Sequence, residues 1–540
     1  MRVIIIGGGA AGASCATRLR RLNEEVEIII LERTNEVSIA NCGLPYYISD
    51  VIPNRDDILV STPQKFKSWF NIDVLLNTEV VEINKEEKFV ITSYNEKLSY
   101  DYLVLANGAS PIIPNFEGLN KDKTFVVRTL NDADKIKSYI KNNNVKKVAV
   151  IGGGFIGIEI AENLIELGLN TTLIELNNQI LAPVDFEIAK IAQDEMIKKG
   201  VNLVLSDGVQ KFNENKIILK SNNAIDYDLC ILAIGVKPET DLATKAGLKT
   251  NRGIIVDEHL KTSNEFIYAS GDNIEAKDFV NGQNTLLPLA GPANRQGRIV
   301  ADNICGLNST YKNTQGTSVV KIFDLTVASS GNNEKQLKQK EIPYLKTYVY
   351  GYSHAGYYPN SNTILYKLLF SNNGKILGIQ GIGESGVEKR VDVIATIMRN
   401  NGTVQDMIDA ELCYAPPYSS AKDSVNILGM NAYNILKGLV KPAYFEDLKD
   451  AIVIDVRPNM IYKMGTIDGA INIPIAEIRE RLDEIPKDKK VILSCNTGYT
   501  SYCAARILMQ KGFNNIYSFM GGYELYKKII KIDTNSFAKK

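Results

Sequence analysis

Cys495 occupies a position at which a sulfur atom could carry negative charge and accept a second sulfur. It follows an apolar strand predicted at 491–493 and precedes a helix predicted at 504–510, so it lies in a strand-loop-helix turn. Backbone N–H groups at the start of a helix favour a thiolate and can hold the charge of a persulfide. The sequence therefore indicates sulfur chemistry at Cys495.

Two glycine-rich turns predict two dinucleotide sites. Each has the pattern G-x-G-x-x-G between a predicted strand and a predicted helix, and an acid ends the next strand. The glycines allow a tight turn, close approach to a pyrophosphate and close packing of helix on sheet, while the acid would accept hydrogen bonds from an adenosine ribose. The first copy consists of Gly7, Gly9, Gly12 and Glu32, and the second of Gly152, Gly154, Gly157 and Glu175.

The elements that must position these residues alternate between strand and helix from residue 1 to about 320. This alternation predicts two parallel sheets with crossover helices, that is, a repeated Rossmann-like α/β unit. A β-rich stretch and then two helical segments follow, which predicts a separate α+β domain. A linker is expected at 438–444, around Pro442, and a compact unit of about a hundred residues after it.

Length and composition exclude several classes of function. A chain of 540 residues fits three or four domains, and its 62 basic and 62 acidic side chains cancel, so we expect no nucleic-acid or anionic-membrane partner. No apolar run reaches the roughly 18 residues of a membrane span, and no signal peptide is visible. The seven cysteines show neither metal-ligand spacing nor a disulfide framework, so we expect no metal site and a cytoplasmic location.

The glycine turns occur together with further motifs that resemble the two-dinucleotide flavoprotein disulfide reductase family. TSNEFIYASGD at 262–272 resembles the second FAD motif of that family, and LANGA at 105–109 resembles its Ala-Thr-Gly motif, with Asn107 in place of threonine. The resemblance implies FAD at the first site and a nicotinamide cofactor at the second. Glu175 favours NADH over NADPH, because a carboxylate repels a 2′-phosphate. The expected FAD-binding residues outside the glycines and Glu32 are Arg33, Asn107, Gly271 and Asp272.

Cys42 is the second candidate sulfur. It stands alone where members resembling glutathione reductase have a Cys-x4-Cys pair, and one sulfur must store oxidising equivalents as a mixed disulfide, a persulfide or a sulfenic acid. The surrounding SIANCGLPY, at 38–46, resembles coenzyme A disulfide reductase and its persulfide-reductase relatives over residues 1 to about 440. The resemblance implies that Ser38 and Asn41 contact pantetheine and that Tyr357 and Tyr414 reach the thiol from the other subunit of a homodimer.

Two arginines are candidate contacts to coenzyme A, which we expect as a bound substrate or adduct. Arg18 and Arg21 lie three residues apart on the helix after the first glycine turn, and so on one face. They could meet the phosphates of coenzyme A, or they could simply form a solvated helix face.

The C-terminal unit resembles a single-domain rhodanese. The landmarks IDVRP at 454–458, GTIDGAINIP at 465–474, the Cys495 loop and MGGY at 520–523 occur in the order found in that family. Thr500 replaces the arginine that this loop usually carries, which argues against thiosulfate as the sulfur donor. Cys495 could instead accept sulfur from a small persulfide, or the domain could be a binding module.

These observations predict four domains and one principal activity. We expect an FAD-binding domain at 1–110 and 250–320, a nicotinamide-binding domain at 111–249, an α+β dimerisation domain at 321–437 and an α/β rhodanese domain at 445–535. The expected reaction uses NADH to reduce a coenzyme A persulfide, a polysulfide or coenzyme A disulfide through Cys42. The alternatives are an NADH oxidase or peroxidase that cycles through a Cys42 sulfenic acid, and a slow sulfur-relay or redox-sensing protein.

Overall fold

A computed structural model describes residues 1–530, which form two compact units. The first unit contains Met1–Ile180 and Lys199–Thr314, and the second contains Leu181–Lys198 and the residues from Gln315 onward. No helix in the described part of the chain is long and apolar enough to cross a membrane.

Strands and helices alternate through the first 314 residues. The strands are β1 (Arg2–Ile6), β2 (Glu27–Leu31), β3 (Asp73–Leu75), β4 (Val80–Asn84), β5 (Phe89–Thr92), β6 (Lys97–Ser99), β7 (Tyr102–Leu105), β8 (Ala109–Pro111), β9 (Thr124–Val126), β10 (Lys147–Ile151), β11 (Asn170–Ile174), β12 (Asn202–Val204), β13 (Val209–Asn213), β14 (Lys216–Leu219), β15 (Ala224–Asp226), β16 (Leu229–Leu232), β17 (Val236–Pro238), β18 (Ile254–Ile255), β19 (Ile267–Ala269), β20 (Ile274–Lys277) and β21 (Asn284–Thr285). The helices are α1 (Ala10–Leu22), α2 (Leu44–Ile48), α3 (Pro63–Phe70), α4 (Leu130–Asn142), α5 (Phe155–Glu166), α6 (Phe186–Lys198), α7 (Asp241–Lys245) and α8 (Ala290–Ile304). Of these, α6 belongs to the second unit.

The remaining elements complete the second unit. Its strands are β22 (Ser318–Ile322), β23 (Leu325–Gly331), β24 (Leu345–Tyr352), β25 (Thr363–Phe370), β26 (Ile376–Gly383), β27 (Pro442–Ala443), β28 (Ile452–Asp455), β29 (Ile471–Asn472), β30 (Val491–Ser494) and β31 (Ile516–Phe519). Its helices are α9 (Glu334–Gln339), α10 (Val387–Arg399), α11 (Val404–Asp409), α12 (Ser424–Leu436), α13 (Asn459–Lys463), α14 (Tyr499–Gln510) and α15 (Gly522–Ile530).

The first unit contains the same architecture twice. One parallel sheet has the strand order β19-β7-β1-β2-β3, and the other has the order β12-β11-β10-β16-β9. Each repeat also contains a small antiparallel sheet, β4-β5-β6 or β13-β14-β15. The central strands β1 and β10 are almost wholly buried, as expected for parallel strands covered on both faces. The predicted repetition is confirmed.

The second unit joins an antiparallel and a parallel sheet. The antiparallel sheet has the order β22-β23-β26-β25-β24, and α10 and α12 pack on it. The parallel sheet has the order β27-β31-β30-β28-β29. The predicted fold class, two Rossmann-like domains, an α+β domain and a C-terminal α/β domain, is confirmed.

The segment predicted as a linker also contributes to the C-terminal sheet. Pro442 and Ala443 pair in parallel with Ser518 and Phe519 as an edge strand. An edge strand tolerates proline because one side of it needs no backbone donor. The domain limits given above stay predictions, and positions 531–535 of the expected rhodanese domain lie outside the described residues.

Candidate active sites

The two glycine turns adopt the same backbone conformation. Gly7 and Gly152 have φ values of +97° and +111°, a left-handed region that residues with a side chain rarely adopt. A Cβ atom at Gly9 or Gly154 would meet nothing within 4 Å, so the middle of each turn opens onto free space. Both turns therefore leave room for a pyrophosphate to approach the backbone.

The third glycine of each turn permits close packing inside the turn. A Cβ atom on Gly12 would overlap the carbonyl oxygen of Gly7, and one on Gly157 would overlap that of Gly152. Because α1 and α5 begin within these turns, their N-terminal ends lie at the two predicted phosphate positions.

The predicted ribose-binding acids hold equivalent positions. One carboxylate oxygen of Glu32 accepts a hydrogen bond from the backbone N–H of Gly8 at 2.8 Å, and one of Glu175 accepts from Gly153 at 2.7 Å. The second oxygen of each accepts from a backbone N–H two residues further on, at 2.9 Å and 2.8 Å respectively. A carboxylate has lone pairs to spare beyond these bonds, so both acids can still accept from a ribose hydroxyl.

The other predicted FAD contacts gather at the carboxyl edge of the first parallel sheet. Asn107 follows β7, and Gly271 and Asp272 follow β19, next to the turn after β1. A Cβ atom on Gly271 would come within 3.2 Å of Ala11 on α1. This edge is where open α/β sheets bind their ligands.

Two of these contacts also have partners inside the protein. The side-chain amide of Asn107 donates to the backbone oxygen of Glu239 at 3.0 Å and accepts from Asn273 at 2.8 Å. Arg33 lies 3.4 Å from a carboxylate oxygen of Glu239. Asn107 therefore bridges the ends of two strands in addition to any role toward a cofactor.

Cys42 lies in a 3-10 turn, Asn41–Gly43, that directly precedes α2. The segment leading to it is tied to the first glycine turn, because the N–H of Ser38 donates to the carbonyl of Gly8 at 2.9 Å. The carbonyl of Ser38 in turn accepts from the N–H of Val60, also at 2.9 Å. The backbone thus places the predicted redox thiol close to the predicted FAD site.

Carboxyl groups from both repeats influence the Cys42 thiol. Partial burial raises the pKa of Cys42 above its ordinary value of 9.0, and the negative charges of Glu159 and Asp272 raise it further. Asp272 follows a strand of the first sheet, whereas Glu159 lies on α5, which starts at the second glycine turn. Charged groups from both repeats therefore affect the pKa of one thiol.

Glu159 is a candidate site residue that the sequence interpretation missed. Burial, followed by the charge of Glu162, raises the pKa of Glu159 to about 7, so its charge can change near neutral pH. Its signal in the sequence is its place two residues after Gly157, on the helix that begins the second site.

The predicted coenzyme A contacts differ in their surroundings. Asn41 is exposed beside the thiol, and Arg21 is exposed on α1. The Nε atom of Arg18 instead donates to a carboxylate oxygen of Asp302 at 2.8 Å, and its side chain is 19% exposed. Arg18 is therefore engaged within the protein, and the substrate roles of Arg18, Arg21, Ser38 and Asn41 stay predictions.

The structure brings the two predicted tyrosines together. Tyr357 and Tyr414 are 57 residues apart in sequence, yet their hydroxyl oxygens are 2.9 Å apart and both side chains are exposed. The hydrogen bond with Tyr414 raises the pKa of Tyr357. The pair forms an outward-facing phenol cluster on the second unit.

Cys495 is held inside its loop rather than projecting from it. It is 2% exposed, and its Sγ accepts a hydrogen bond from the backbone N–H of Gly498 at 3.1 Å and donates to Ser501 Oγ at 3.5 Å. Gly498 has a φ of +109° and caps α14, which turns the helix start toward the sulfur. This is the strand-loop-helix placement that the sequence predicts.

The other landmarks of the C-terminal unit surround this loop. Asp455 accepts two-pronged hydrogen bonds from Arg457, whose guanidinium also donates to the Gly465 carbonyl at 2.7 Å and lies 4.5 Å over the Tyr523 ring. The N–H of Tyr523 donates to the carbonyl of Cys495 at 2.8 Å. Four segments distant in sequence thus form one site.

Two matching glycine turns, each with an acid nearby, and one thiol close to the first turn are the arrangement expected of an oxidoreductase that moves electrons between two dinucleotides and sulfur. The model of the family described as pyridine nucleotide-disulphide oxidoreductase matches residues 1–297, and the model of that family's dimerisation domain matches residues 317–425. The rhodanese-like domain matches residues 442–529. The chain belongs to the pyridine nucleotide-disulphide oxidoreductase family and carries a rhodanese-like domain.

Curated relatives match about four-fifths of the chain. An NADH oxidase of Methanocaldococcus jannaschii is 36% identical over 441 residues, which is 80% of this chain and 98% of the relative. A coenzyme A disulfide reductase of Staphylococcus aureus is also 36% identical over 441 residues, which is 80% of this chain and 99% of the relative.

Two solved structures extend the similarity to the C-terminal unit. The crystal structure of reduced Bacillus anthracis CoADR-RHD is 47% identical, with a TM-score of 0.96, and 98% of each chain is covered. A NAD-dependent persulfide reductase from A. fulgidus is 36% identical, with a TM-score of 0.92, covering 97% of this chain and 100% of the other.

The chain is therefore an enzyme of the flavoprotein disulfide reductase class. This family uses FAD and NADH, and the two glycine turns fit that pair, because each opens onto free space at a helix start and holds an acid nearby. The assignment of individual residues to each cofactor stays a prediction.

Proposed function

We propose that the enzyme uses NADH to reduce coenzyme A persulfide or coenzyme A disulfide through Cys42. The observation that carries this proposal is the exposed Cys42 thiol, which has no disulfide partner and whose backbone segment is hydrogen-bonded through Ser38 to the first glycine turn. All seven cysteines are free, so Cys42 has no disulfide partner within the chain, and in the proposed reaction it pairs with a sulfur of the substrate.

In the proposed reaction, Cys42 forms the covalent intermediate with the substrate. Cys42, as thiolate, attacks one sulfur of a disulfide, forms a mixed disulfide and releases the other half as a thiolate. With a persulfide, attack at the inner sulfur releases hydrosulfide and leaves the same mixed disulfide. When both cofactors are bound, NADH would supply two electrons through FAD to cleave this bond, and the products would be the Cys42 thiolate and a free thiol after uptake of one proton.

The Tyr357 and Tyr414 pair is the proposed source of that proton. Two phenols in mutual hydrogen-bond contact can pass a proton to a departing thiolate. Both are exposed on the second unit, and the matched dimerisation domain supports a homodimer in which they serve the partner's thiol. The rhodanese-like domain is proposed to carry sulfane sulfur on Cys495.

The test combines mass spectrometry with turnover measurements on the full-length enzyme. We expect a coenzyme A adduct on Cys42 in the oxidised protein, and NADH consumption that depends on coenzyme A persulfide or disulfide. Cys42→Ser should abolish this consumption, while Cys413→Ser, which removes the other exposed thiol, should leave it unchanged. Full turnover by the Cys42→Ser variant would overturn the proposal.

The NADH oxidase relative supports a second candidate function, in which Cys42 cycles through a sulfenic acid and the final electron acceptor is oxygen or peroxide. The same measurements on the full-length enzyme distinguish the reductase from the oxidase or peroxidase. A sulfenic acid on Cys42 with rapid peroxide-dependent NADH consumption, and little with coenzyme A substrates, would favour the oxidase or peroxidase.

A further inference from the structure

The loop of Cys495 opens on a cavity of about 550 Å³. Asn496 and Thr500 of the loop line one part of it, and Arg457, Met464, Glu524 and Lys527 lie among the residues that line the rest. This volume falls in the range of about 300–1,000 Å³ that holds molecules of drug size, and far exceeds the space of about 30 Å³ of one water molecule. The cavity therefore has room for a donor much larger than a small inorganic ion.

The cations at this cavity are already paired. Arg457 is held by the Asp455 carboxylate and by the Gly465 carbonyl. Lys527 Nζ lies 2.7 Å from the carboxylate of Glu524. The loop from 495 to 500 contains no charged residue. Among the described residues that line the cavity, each cation thus has its own counterion.

The remaining wall is apolar. Val456, Ile461, Met464 and Ile475 all line the cavity, and the Met464 side chain is 81% exposed. A flexible thioether beside branched aliphatic side chains suits an extended aliphatic chain. A doubly charged oxyanion would meet no free cation here and would be repelled by Glu524.

We propose that Glu524 determines the sulfur donor of Cys495: by pairing with Lys527 it excludes small sulfur oxyanions such as thiosulfate and leaves the site to persulfides on uncharged aliphatic arms. This inference rests on the proposed function, which supplies such a donor as coenzyme A persulfide. The backbone N–H of Glu524 donates to the carbonyl of Asn496 at 2.9 Å, so the carboxylate is anchored at the sulfur loop.

The transfer needs no oxidant or reductant. The Cys495 thiolate attacks the outer sulfur of the persulfide, a new sulfur-sulfur bond forms, and the bond inside the donor breaks. The donor leaves as a thiolate that takes a proton from solvent, and Cys495 becomes a persulfide.

The test measures loading of one sulfur atom on Cys495 by mass spectrometry in the full-length holoenzyme. A Cys42→Ser background removes the reductase reaction, so that loading is read without NADH. The donors are thiosulfate and coenzyme A persulfide. We expect loading from coenzyme A persulfide to be at least about tenfold faster than loading from thiosulfate.

Substitution of Glu524 tests its role directly. Glu524→Gln keeps the backbone bond to Asn496 and should raise thiosulfate loading about five- to tenfold, because Lys527 becomes free to attract the dianion. The Glu524→Gln/Lys527→Gln double variant should lose this gain. Glu480→Gln, which removes the same charge from an exposed position outside the cavity lining, should change nothing.

Met464→Glu tests the apolar wall, and it should slow loading from coenzyme A persulfide. Equal loading by both donors in the parent, or an unchanged thiosulfate rate in Glu524→Gln, would overturn the inference. These outcomes are independent of the proposed reductase function, which is read by NADH consumption with intact Cys42. Loss of that consumption with normal donor selectivity at Cys495 would overturn the reductase proposal alone.

Discussion

Lys367→Met should strongly destabilise the second unit, because this lysine is a fully buried cation surrounded by carboxylates. Its Nζ atom lies 3.0 Å from both Asp185 and Glu187 and also contacts Glu334. Burial alone pushes the pKa of Glu334 upward, but the charge of Lys367 and hydrogen bonds from Lys367 and Tyr344 outweigh it and lower the pKa to about 2. Against an ordinary value of 4.5, that difference corresponds to about 3 kcal/mol of stability at neutral pH.

The expected loss of stability at pH 7 is about 3–5 kcal/mol, the usual cost of removing one partner from a buried ion pair. The carboxylates around Lys367 determine how this loss of stability changes with pH. In the parent, the contribution of Glu334 is complete above pH 4.5 and is lost as pH falls toward 2. In the variant, the carboxylates left without a cation take up protons more readily, so the deficit should shrink as pH falls from about 7 to 5.

Hydrogen exchange of peptides covering Thr363–Phe370 is the assay of choice, because a multidomain chain does not unfold in a single two-state step. Lys340→Met, at an exposed position, is the matched control and should leave protection unchanged. Adding Glu187→Gln and Glu334→Gln to Lys367→Met should restore part of the protection that Lys367→Met loses. Unchanged protection of this strand in Lys367→Met at pH 7, or a deficit that does not vary with pH, would refute the electrostatic reasoning.

Three further predictions concern the reductase half. Glu159→Gln should speed alkylation of Cys42 about threefold at pH 8, since losing a nearby negative charge lowers the pKa of the thiol. Because Glu159 titrates near pH 7, this acceleration should fade by pH 6. An equal acceleration at both pH values would contradict the role of the Glu159 charge. Glu175→Gln should shift the ratio of kcat/KM for NADPH over NADH upward by about tenfold, and no shift would argue against nicotinamide binding at the second turn. Tyr357→Phe and Tyr414→Phe should each lower kcat about tenfold with normal FAD content, whereas full activity of both would remove the phenols from proton transfer.

Much of the fold could be predicted because local rules decide it. A glycine turn between a buried strand and a helix has few conformations that satisfy both sterics and hydrogen bonding, and Gly7 and Gly152 adopt the expected one. The edge strand at Pro442–Ala443 could not be predicted, since two residues carry no periodicity and their pairing depends on β31. The grouping of α6 with the second unit was equally hidden, because Asp185 and Lys367 are far apart in sequence.

The residues of the candidate sites likewise fall into those that local sequence patterns predict and those that only the folded chain brings together. Cys495 and the glycines were visible because strand, turn and helix patterns frame them. Glu159 was missed because its significance lies in its burial and in the effect of its charge on the pKa of Cys42, neither of which residue spacing predicts. The ion pair of Arg18 with Asp302, 284 residues away, likewise depends on how α1 packs against α8.

The two reactive sulfurs are built for opposite tasks. Cys42 is an exposed residue, but partial burial of its thiol and, after that, the neighbouring carboxyl groups raise its pKa, so its thiolate is scarce at neutral pH unless bound ligands or substrate change that environment. Cys495 is 2% exposed and already receives a backbone hydrogen bond from Gly498 at a helix start, a donor that does not depend on a bound cofactor. A thiol that depends on its ligands suits turnover, whereas a thiol with a permanent N–H donor suits storage. In the proposed function, sulfane sulfur is held on Cys495 and reduced at Cys42, which requires that the small-molecule persulfide fits the cavity at Cys495. That cavity is lined in part by apolar side chains, and its two cations are paired with carboxylates.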